Sequence, residues 1–468
     1  MPRTSSQRVL GVFSLAMINV ALIASLRGLP LMAKYGLSLI FFLLAAALIF
    51  FIPAALVSAE LATGWPQKGG IYLWVKQALG DRFGFLAIWL QWIQNIIFYP
   101  TALATTAAVF AYLFTPVLAQ NKYYTLAVII VVYWGATLLN LQGMKISGLV
   151  SSIGAIGGIL VPGALIILAG IVWLIIGNPS QITFSVQNVF PDFTQVGSIA
   201  FFLGILLFFA GIEVSAVHAK EVKNPARDYP KAIFLSAAII ITLFILGALS
   251  IAIIVPQSEI SLTAGLIETF RILFNKFNIP WMTPIIILLI VPGLITQVSS
   301  WIPGPSKGLL ATAEDGSLPR FFQKTNKHKM PINIFIVQGC IVTLISLTFL
   351  LMPTVSSSFW ILTALAAQLY LAMYILMFIS AIVLRYKKPK VKRPYKIPGG
   401  NFGMWFVAGT GILGAVGSMI VGCFPPTQLK TGSFTFYISF LLVGILTMIV
   451  TPFIIYSCRK PSWKPKKK

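Results

Sequence analysis

Twelve long apolar segments follow one another along the chain and leave it few ways to fold. About 20 consecutive apolar residues cross the hydrocarbon core of a bilayer, where a helix satisfies its own backbone hydrogen bonds. The connections are at most about 20 residues long, so no soluble domain is predicted. We predict an all-α integral membrane protein with twelve transmembrane helices, numbered span one to span twelve: 10–33, 36–62, 84–114, 124–142, 148–177, 196–219, 228–255, 280–312, 331–352, 357–386, 402–424 and 432–457.

The basic residues are distributed unevenly between the two sides of this predicted membrane domain. Of 34 Lys and Arg residues, 28 lie in the termini and the even-numbered connections or within six residues of them, and only five lie in the odd-numbered connections. Cytoplasmic loops are enriched in Lys and Arg, so both termini are predicted in the cytoplasm and the protein in the cytoplasmic (inner) membrane. The basic segments 385–396 and 460–468 are expected beside anionic lipid. Nucleic-acid binding is not predicted, because no aromatic stacking platform accompanies the lysines.

The N-terminal segment and the cysteines exclude some alternatives. The first apolar run continues into span two, so we do not expect a cleaved signal peptide. Cys340 lies inside span nine, and Cys423 and Cys458 lie at opposite ends of the last two spans, so no disulfide framework is predicted. No cofactor and no resident metal ion are predicted.

Two spans contain helix-weakening residues at about half their depth. These are Arg27-Gly28-Leu29-Pro30 in span one and Ala210-Gly211-Ile212-Glu213 in span six. Freed backbone at membrane depth is stable where it lines a polar cavity. Breaks five spans apart are typical of inverted-repeat transporters, whose substrate site lies between the broken helices. Close helix packing is the alternative role of such glycines, and we favour it for 151–160 in span five.

Charged residues at these breaks indicate the kind of ligand. Arg27 and Glu213 lie at half-depth, where an ionisable residue normally faces a cavity or a partner. Free N–H groups near Gly28 would form a positive helix end, and free carbonyl groups near Ala210 would form a negative one. An α-amino acid fits between two such ends. Polar residues of spans three, eight and ten either join this site or bridge neighbouring helices: Gln91, Gln94, Asn95, Tyr99, Thr296, Gln297, Ser299, Ser300, Trp301, Gln368, Tyr370 and Tyr374.

Several segments resemble one transporter family. GIEVSAVHAKEVKNPARDYPKA (211–232), GWPQKGGIYLWVKQALGDRFGF (64–85), SWIPGPSKG (300–308) and RPYKIPGG (393–400) are similar to segments of the amino acid–polyamine–organocation transporters, particularly the bacterial glutamate:γ-aminobutyrate antiporters. The resemblance implies exchange of amino acids or their decarboxylation products. It also implies a 5+5 inverted repeat with broken helices one and six. The implied units are an N-terminal segment, two five-helix repeats, two additional spans and a basic tail: 1–9, 10–177, 178–386, 387–457 and 458–468.

Site residues follow from the breaks and from this resemblance. Predicted substrate-binding residues are Ser25, Arg27, Gly28, Ala210, Gly211, Glu213, Gln297, Trp301, Tyr370 and Tyr374. The cytoplasmic loop after span six, with Asn224, Pro225, Arg227 and Asp228, is predicted to serve structure or gating, with Arg227 and Asp228 able to pair.

Two positions depart from the family pattern. Arg27-Gly28-Leu29 stands where those antiporters have Tyr-Glu-Tyr, and Gln297 stands where they have an acidic residue. Both changes make the pocket less negative and favour an anionic or neutral substrate over a cationic product. About ten residues follow span twelve, so the pH-dependent C-terminal plug of acid-resistance relatives is not expected.

The roles of the charged residues leave alternatives open. Arg27 and Glu213 can pair in the empty carrier, or each can bind one end of the substrate, with Arg27 holding a side-chain carboxylate. Glu213, Glu60 and His218 are proton-carrier candidates, because carboxyl and imidazole groups in a span can carry a proton. Hydroxyl groups of span eight facing the break in span one are the sodium alternative.

Other protein classes fit the sequence less well. A membrane enzyme would need a nucleophile–base pair, a metal cluster or a phosphate loop, and none is recognisable with two histidines in the chain. A channel usually repeats pore rings across subunits, and a sensor needs a signalling domain outside the membrane. We therefore predict a secondary amino acid transporter that works as an exchanger, with a proton- or sodium-coupled symporter as the alternative. The substrate pair and the oligomeric state stay open.

Overall fold

The computed structural model describes residues 11–66, 69–143, 156–194, 196–214 and 222–464. Within these ranges the protein is helical, with no strand and one isolated β-bridge between Thr325 and Pro331. The α-helices are α1 (Val12–Ile23), α2 (Leu29–Ala33), α3 (Leu39–Ala46), α4 (Ile52–Gly64), α5 (Ile71–Leu79), α6 (Asp81–Ala111), α7 (Lys122–Leu141), α8 (Val161–Ile175), α9 (Phe202–Phe209), α10 (Pro225–Ile254), α11 (Gly265–Lys276), α12 (Met282–Trp301), α13 (Pro303–Glu314), α14 (Ile332–Ser346), α15 (Thr348–Leu351), α16 (Val355–Lys387), α17 (Gly400–Gly422) and α18 (Phe434–Ser457). Short π-helical turns, Ala47–Phe51 and Ile156–Leu160, join α3 to α4 and precede α8.

Eleven helical segments of the described ranges are long and apolar enough to cross a membrane. They are Gly36–Gly64, Asp81–Ala111, Lys122–Leu141, Gly158–Ile175, Val196–Val214, Ala226–Ile254, Met282–Glu314, Ile332–Leu351, Val355–Lys387, Gly400–Val421 and Phe434–Ser457. Each overlaps one of the predicted spans two to twelve. Span one is missing from this set because it is interrupted: α1 has 12 residues and α2 has 5. The apolar runs are thus helices, as an integral membrane protein requires.

The helices of spans three and ten form the centre of the fold. α6 and α16 are largely buried and pack against each other, whereas α18 of span twelve is mostly exposed. The indole of Trp89 on α6 donates a hydrogen bond to the carbonyl of Met448 on α18, at 2.9 Å. The polar side chains of spans three and ten therefore lie in the interior, where they can reach both broken helices.

Span five and span eight touch backbone to backbone. A Cβ added to Gly158 would lie 2.1 Å from the Cα atom of Gly293, so neither position has room for a side chain. This agrees with the packing role favoured for the glycines of 151–160, of which residues 151–155 lie outside the described ranges.

Two short helices, α5 and α11, lie outside the spans. α5 follows span two, and its Tyr72 and Lys76 donate hydrogen bonds to the carboxylate of Asp315 at the end of α13, at 2.6 and 2.8 Å. α11 lies between spans seven and eight, where a Cβ added to its first residue, Gly265, would lie 3.1 Å from Pro30. α5 thus contacts the end of α13, and α11 contacts α2, although the elements of each pair are distant in sequence.

Candidate functional site

The helix of span one stops within the span and then resumes. Ala24 and Ser25, directly after α1, are extended, and a 3-10 turn runs over Leu26–Gly28. The sequence prediction placed the break at 27–30, whereas the structure places it at 24–28, so the predicted break begins three residues late and ends two residues late. Pro30 explains the difference: it lies in the first turn of α2, where its missing N–H removes no hydrogen bond.

The helix of span six breaks at the predicted residues. α9 ends at Phe209, Ala210 is extended, and Gly211 has a φ of 115°. A side chain at Gly211 would be strained, and its Cβ would lie 3.2 Å from the indole of Trp301. The N–H of Gly211, which has no partner within the helix, donates a hydrogen bond to the hydroxyl of Tyr374 at 2.8 Å. A side chain of span ten thus provides the hydrogen bond that the break removes from the helix.

A small cavity lies between the two breaks. The volume open to water is about 40 Å³, which is room for a few water molecules. Six of the ten residues predicted to bind substrate line it: Ser25, Arg27, Ala210, Gln297, Trp301 and Tyr370. Six lining residues were not in the predicted set: Ile23, Gln94, Asn95, Phe98, Leu207 and Phe208.

The other four predicted binding residues adjoin the cavity through residues that line it. Gly28 packs on the ring of Phe208, which would lie 2.9 Å from an added Cβ. Gly211 packs on the indole of Trp301, which lines the cavity. Glu213 and Tyr374 are hydrogen-bonded to each other next to the cavity. The ten residues therefore form one contiguous cluster.

Arg27 brings a buried positive charge to the cavity. The residue is 2% exposed, and its guanidinium carbon lies 4.1 Å from the ring centroid of Phe98 and 4.9 Å from that of Phe208. Its Nη1 donates to Thr101 Oγ1 at 2.8 Å, while Nε has no hydrogen-bond partner. Two aromatic faces stabilise the cation without using its N–H donors, so donors stay available to a ligand in the cavity.

Glu213 is held by neutral groups. Its Oε1 accepts hydrogen bonds from Gln91 Nε2 at 3.0 Å and from the Tyr370 hydroxyl at 2.5 Å, and its Oε2 accepts one from the Tyr374 hydroxyl. Within the described ranges, no cation lies within ion-pair distance of this carboxylate, so the pair with Arg27 that we considered is not formed in this structure. The carboxyl group instead joins spans three, six and ten in one buried network.

Neutral polar side chains connect the break of span one to span eight. Ser25 Oγ donates to Gln297 Oε1 at 3.1 Å. The hydroxyl groups considered for sodium do not line the cavity: Ser299 Oγ accepts from Asn140 Nδ2 at 2.9 Å, and Ser300 Oγ donates to a carbonyl of its own helix at 2.6 Å. Among the described residues, no cluster of three or more His, Cys, Asp or Glu side chains suits a metal ion.

The remaining proton-carrier candidates lie elsewhere. Glu60 is 1% exposed, and its two oxygens receive Nε and Nη2 of Arg385, both at 2.6 Å. It also accepts the backbone N–H of Ile397 at 2.8 Å, and Arg393 Nε lies 3.4 Å away. Glu60 thus links span two to the end of span ten and to the segment that follows it, and it does not line the cavity. His218 lies outside the described residues.

The predicted gating loop caps a helix. Asn224 precedes α10, and its backbone N–H donates to Asp228 Oδ2 at 3.0 Å. Pro225 occupies the first helical position, where proline is preorganised. The carboxylate of Asp228 therefore caps the first turn of α10, and it does not form the pair with Arg227 that the sequence suggested.

Known proteins resemble this chain over most of its length. A family model described as amino acid permease matches residues 10–449. An uncharacterized transporter of Legionella pneumophila is 47% identical over 449 residues, which cover 96% of this chain and 97% of its own. A glutamate/gamma-aminobutyrate antiporter of Lactococcus lactis subsp. lactis is 34% identical over 457 residues, covering 96% and 91%. A probable agmatine/putrescine antiporter of the same bacterium is 25% identical over 378 residues, covering 79% and 78%.

Proposed function

The chain belongs to the amino acid permease family, and from this premise we propose that it is a secondary amino acid antiporter of the cytoplasmic membrane. It exchanges an α-amino acid for a related amino acid or its decarboxylated product by alternating access. Relatives named glutamate/gamma-aminobutyrate antiporter, 34% and 35% identical over most of the chain, support exchange as the mode of transport. An amino acid symporter is the second candidate.

The proposed architecture has twelve spans, with the interrupted span one as the twelfth. Residues 10–177 and 178–386 form two inverted five-helix repeats, and 387–457 add two spans. The termini, 1–9 and the basic tail 458–468, lie in the cytoplasm beside anionic lipid. The breaks of spans one and six, which face one cavity, support the repeat, and the uneven distribution of Lys and Arg supports the orientation.

One observation carries the choice of substrate: a buried guanidinium with an unpartnered Nε lines the cavity between the breaks. The substrate carboxylate binds at the start of the 3-10 turn Leu26–Gly28, and its ammonium group binds the carbonyl end of α9. Arg27 then receives a side-chain carboxylate or a neutral polar group. Among the described residues that line the cavity there is no carboxylate, and Glu213 is bound to the Tyr370 hydroxyl, so a cationic side chain is disfavoured.

Proton-coupled symport rests on a different observation. Glu213 is a carboxyl group in direct contact with a cavity-lining hydroxyl, and a proton taken up there would change the bonds between spans six and ten. Sodium coupling has less support, because Ser299 and Ser300 already bond to other protein groups. A pH step that drives uptake without internal substrate would favour the symporter.

The decisive experiment is exchange in proteoliposomes. Vesicles are loaded with labelled glutamate, other neutral or acidic amino acids, or their amines, and external compounds are tested for release of label with and without a pH step. We expect release by an α-amino acid with an acidic or neutral side chain. Release only by sugars, nucleosides or inorganic ions would contradict the proposal.

Arg27→Gln tests the assigned contact. A hydrogen bond to a charged group contributes about 1.5–3 kcal/mol, so the apparent affinity for an acidic substrate should fall roughly 10- to 100-fold. Arg82→Gln, which changes an exposed arginine at the start of α6, is the control and should keep the parent affinity. If Arg27→Gln leaves both homo-exchange and net flux unchanged, Arg27 does not bind the substrate.

A further inference from the structure

A second cavity is an apolar crevice on the outer surface of the helix bundle. It lies between α8 of span five, helix α11 and the first half of α12, and its volume is about 370 Å³. Ligand pockets usually have about 300–1,000 Å³. Every side chain that lines it is apolar, with Leu168, Leu273 and Ile285 representing its three walls. An amino acid would leave its charged groups without partners here, so the crevice suits a ligand of another class.

The position of the crevice identifies that ligand. Leu168 and Ile285 are 53% and 44% exposed, and both lie on helices that cross the membrane. Apolar surface of this kind on a span faces lipid acyl chains. We propose that the crevice binds one acyl chain of an anionic phospholipid.

Charge and aromatic residues at the mouth of the crevice account for the headgroup. Lys276, at the end of α11, is exposed and lies one helical turn from Leu273 of the crevice wall. Trp281, which precedes α12, is 63% exposed, and tryptophan is typical of the membrane–water interface. The acidic residue of α11, Glu268, points elsewhere and accepts a hydrogen bond from Tyr112 at 2.8 Å. Among the described residues, no carboxylate forms an ion pair with Lys276, so its ammonium group can attract a phosphate.

The bound chain supports the helix that lies beside the broken span one. The second half of α11 forms a wall of the crevice, while its first residue, Gly265, packs on Pro30 at the start of α2. An acyl chain between α8 and α11 fills space that would otherwise let α11 move outward, away from α2. The lipid thus stabilises the position of α11 relative to the candidate substrate site.

Lipid retention by the purified full-length protein tests the proposal independently of transport. Native mass spectrometry after incubation with dioleoylphosphatidylglycerol or dioleoylphosphatidylcholine should detect one retained lipid, with phosphatidylglycerol preferred. Ala169→Phe fills the crevice from α8 and should reduce retention at least tenfold. Val131→Phe, at a 71% exposed position on α7, adds the same ring away from the crevice and should retain the lipid.

Further variants separate the acyl chain from the headgroup. Lys276→Gln should keep one lipid but lose the preference for phosphatidylglycerol, whereas Lys122→Gln should keep that preference. Leu168→Ala, which removes part of one crevice wall at a half-exposed position and adds no polar group, should weaken retention as Ala169→Phe does. Equal retention by Ala169→Phe and Val131→Phe, or no lipid on the parent, overturns the site. Equal retention of both lipids by the parent, or an unchanged preference in Lys276→Gln, overturns the assignment to an anionic headgroup.

Discussion

Removing the charge of Glu60 is predicted to destabilise the protein strongly. Glu60 and Arg385 are 1% and 2% exposed, and two N–H groups of the arginine lie 2.6 Å from the two carboxylate oxygens. Glu60→Gln keeps the size of the side chain but leaves a buried guanidinium without its counterion. Breaking such a pair costs about 3–5 kcal/mol. The unfolding equilibrium should therefore shift roughly 100- to several thousand-fold.

A double-mutant cycle measures the interaction. Arg385→Gln should cost less than Glu60→Gln, because Arg393 and the backbone N–H of Ile397 still contact the carboxylate. The double variant should be more stable than the sum of the single effects predicts. The assay is reversible denaturation in detergent micelles, followed by tryptophan fluorescence. Asp315→Asn is the control, since its pair with a lysine is about half-exposed and such pairs contribute about 0–1 kcal/mol.

The same variant separates two roles for Glu60. If Glu60 serves packing, exchange by the folded fraction of Glu60→Gln keeps its response to a pH step. A parent-like free energy of unfolding in Glu60→Gln, together with a lost pH response, would refute this reasoning and restore Glu60 as a proton carrier.

Three further predictions concern positions outside this pair. Gly293→Ala should destabilise the protein by more than 1 kcal/mol in the same denaturation assay, because its Cβ would lie 2.4 Å from the Cα atom of Gly158. Gly211→Ala should lower the exchange rate at least tenfold in proteoliposomes, because an alanine there is strained and shifts the break of span six. Burial raises the pKa of Glu268 against the opposing hydrogen bond from Tyr112, so the folded protein binds a proton more readily than the unfolded chain. The stability that this raised pKa contributes is fully present below the ordinary pKa of 4.5 and is lost as the pH rises through the pKa of Glu268 in the folded protein. Glu268→Gln should therefore flatten the pH dependence of thermal unfolding in this pH range.

The spans could be predicted because hydropathy is a property of local sequence. Each of spans two to twelve overlaps a helix that is long and apolar enough to cross a membrane. The break in span one was misplaced because Pro30 looks like a helix breaker in sequence, whereas it begins α2. The extended residues Ala24 and Ser25 are not distinctive, since alanine and serine are common inside helices.

The site could be predicted where polar residues stand out in apolar runs. Gln94 and Asn95 were recognisable by their helical spacing in span three, although they were not selected. Phe98 and Phe208 were missed, because a phenylalanine in a membrane span looks the same whether it faces lipid, another helix or a guanidinium.

Contacts between distant residues were the least predictable part. Glu60 and Arg385 are 325 positions apart, and the arginine belongs to a basic segment that proximity to lipid already explains. Nothing in the local sequence of either residue indicates the other. Such pairs depend on how the helices pack, which the local pattern of hydropathy and charge does not reveal.

Arg27 and Glu213 have different hydrogen-bond partners and do not pair with each other, and this affects how the transporter can bind its substrate. If the two formed a buried ion pair, each substrate would have to separate them, at about 3–5 kcal/mol before its own contacts offset that cost. A guanidinium over two aromatic rings keeps this stabilisation when a carboxylate accepts hydrogen bonds from its N–H groups, because the contacts with the rings use none of those donors. Glu213 likewise keeps its three neutral donors. This arrangement is preorganised, and it favours direct binding of the substrate by Arg27 over exchange with an internal pair.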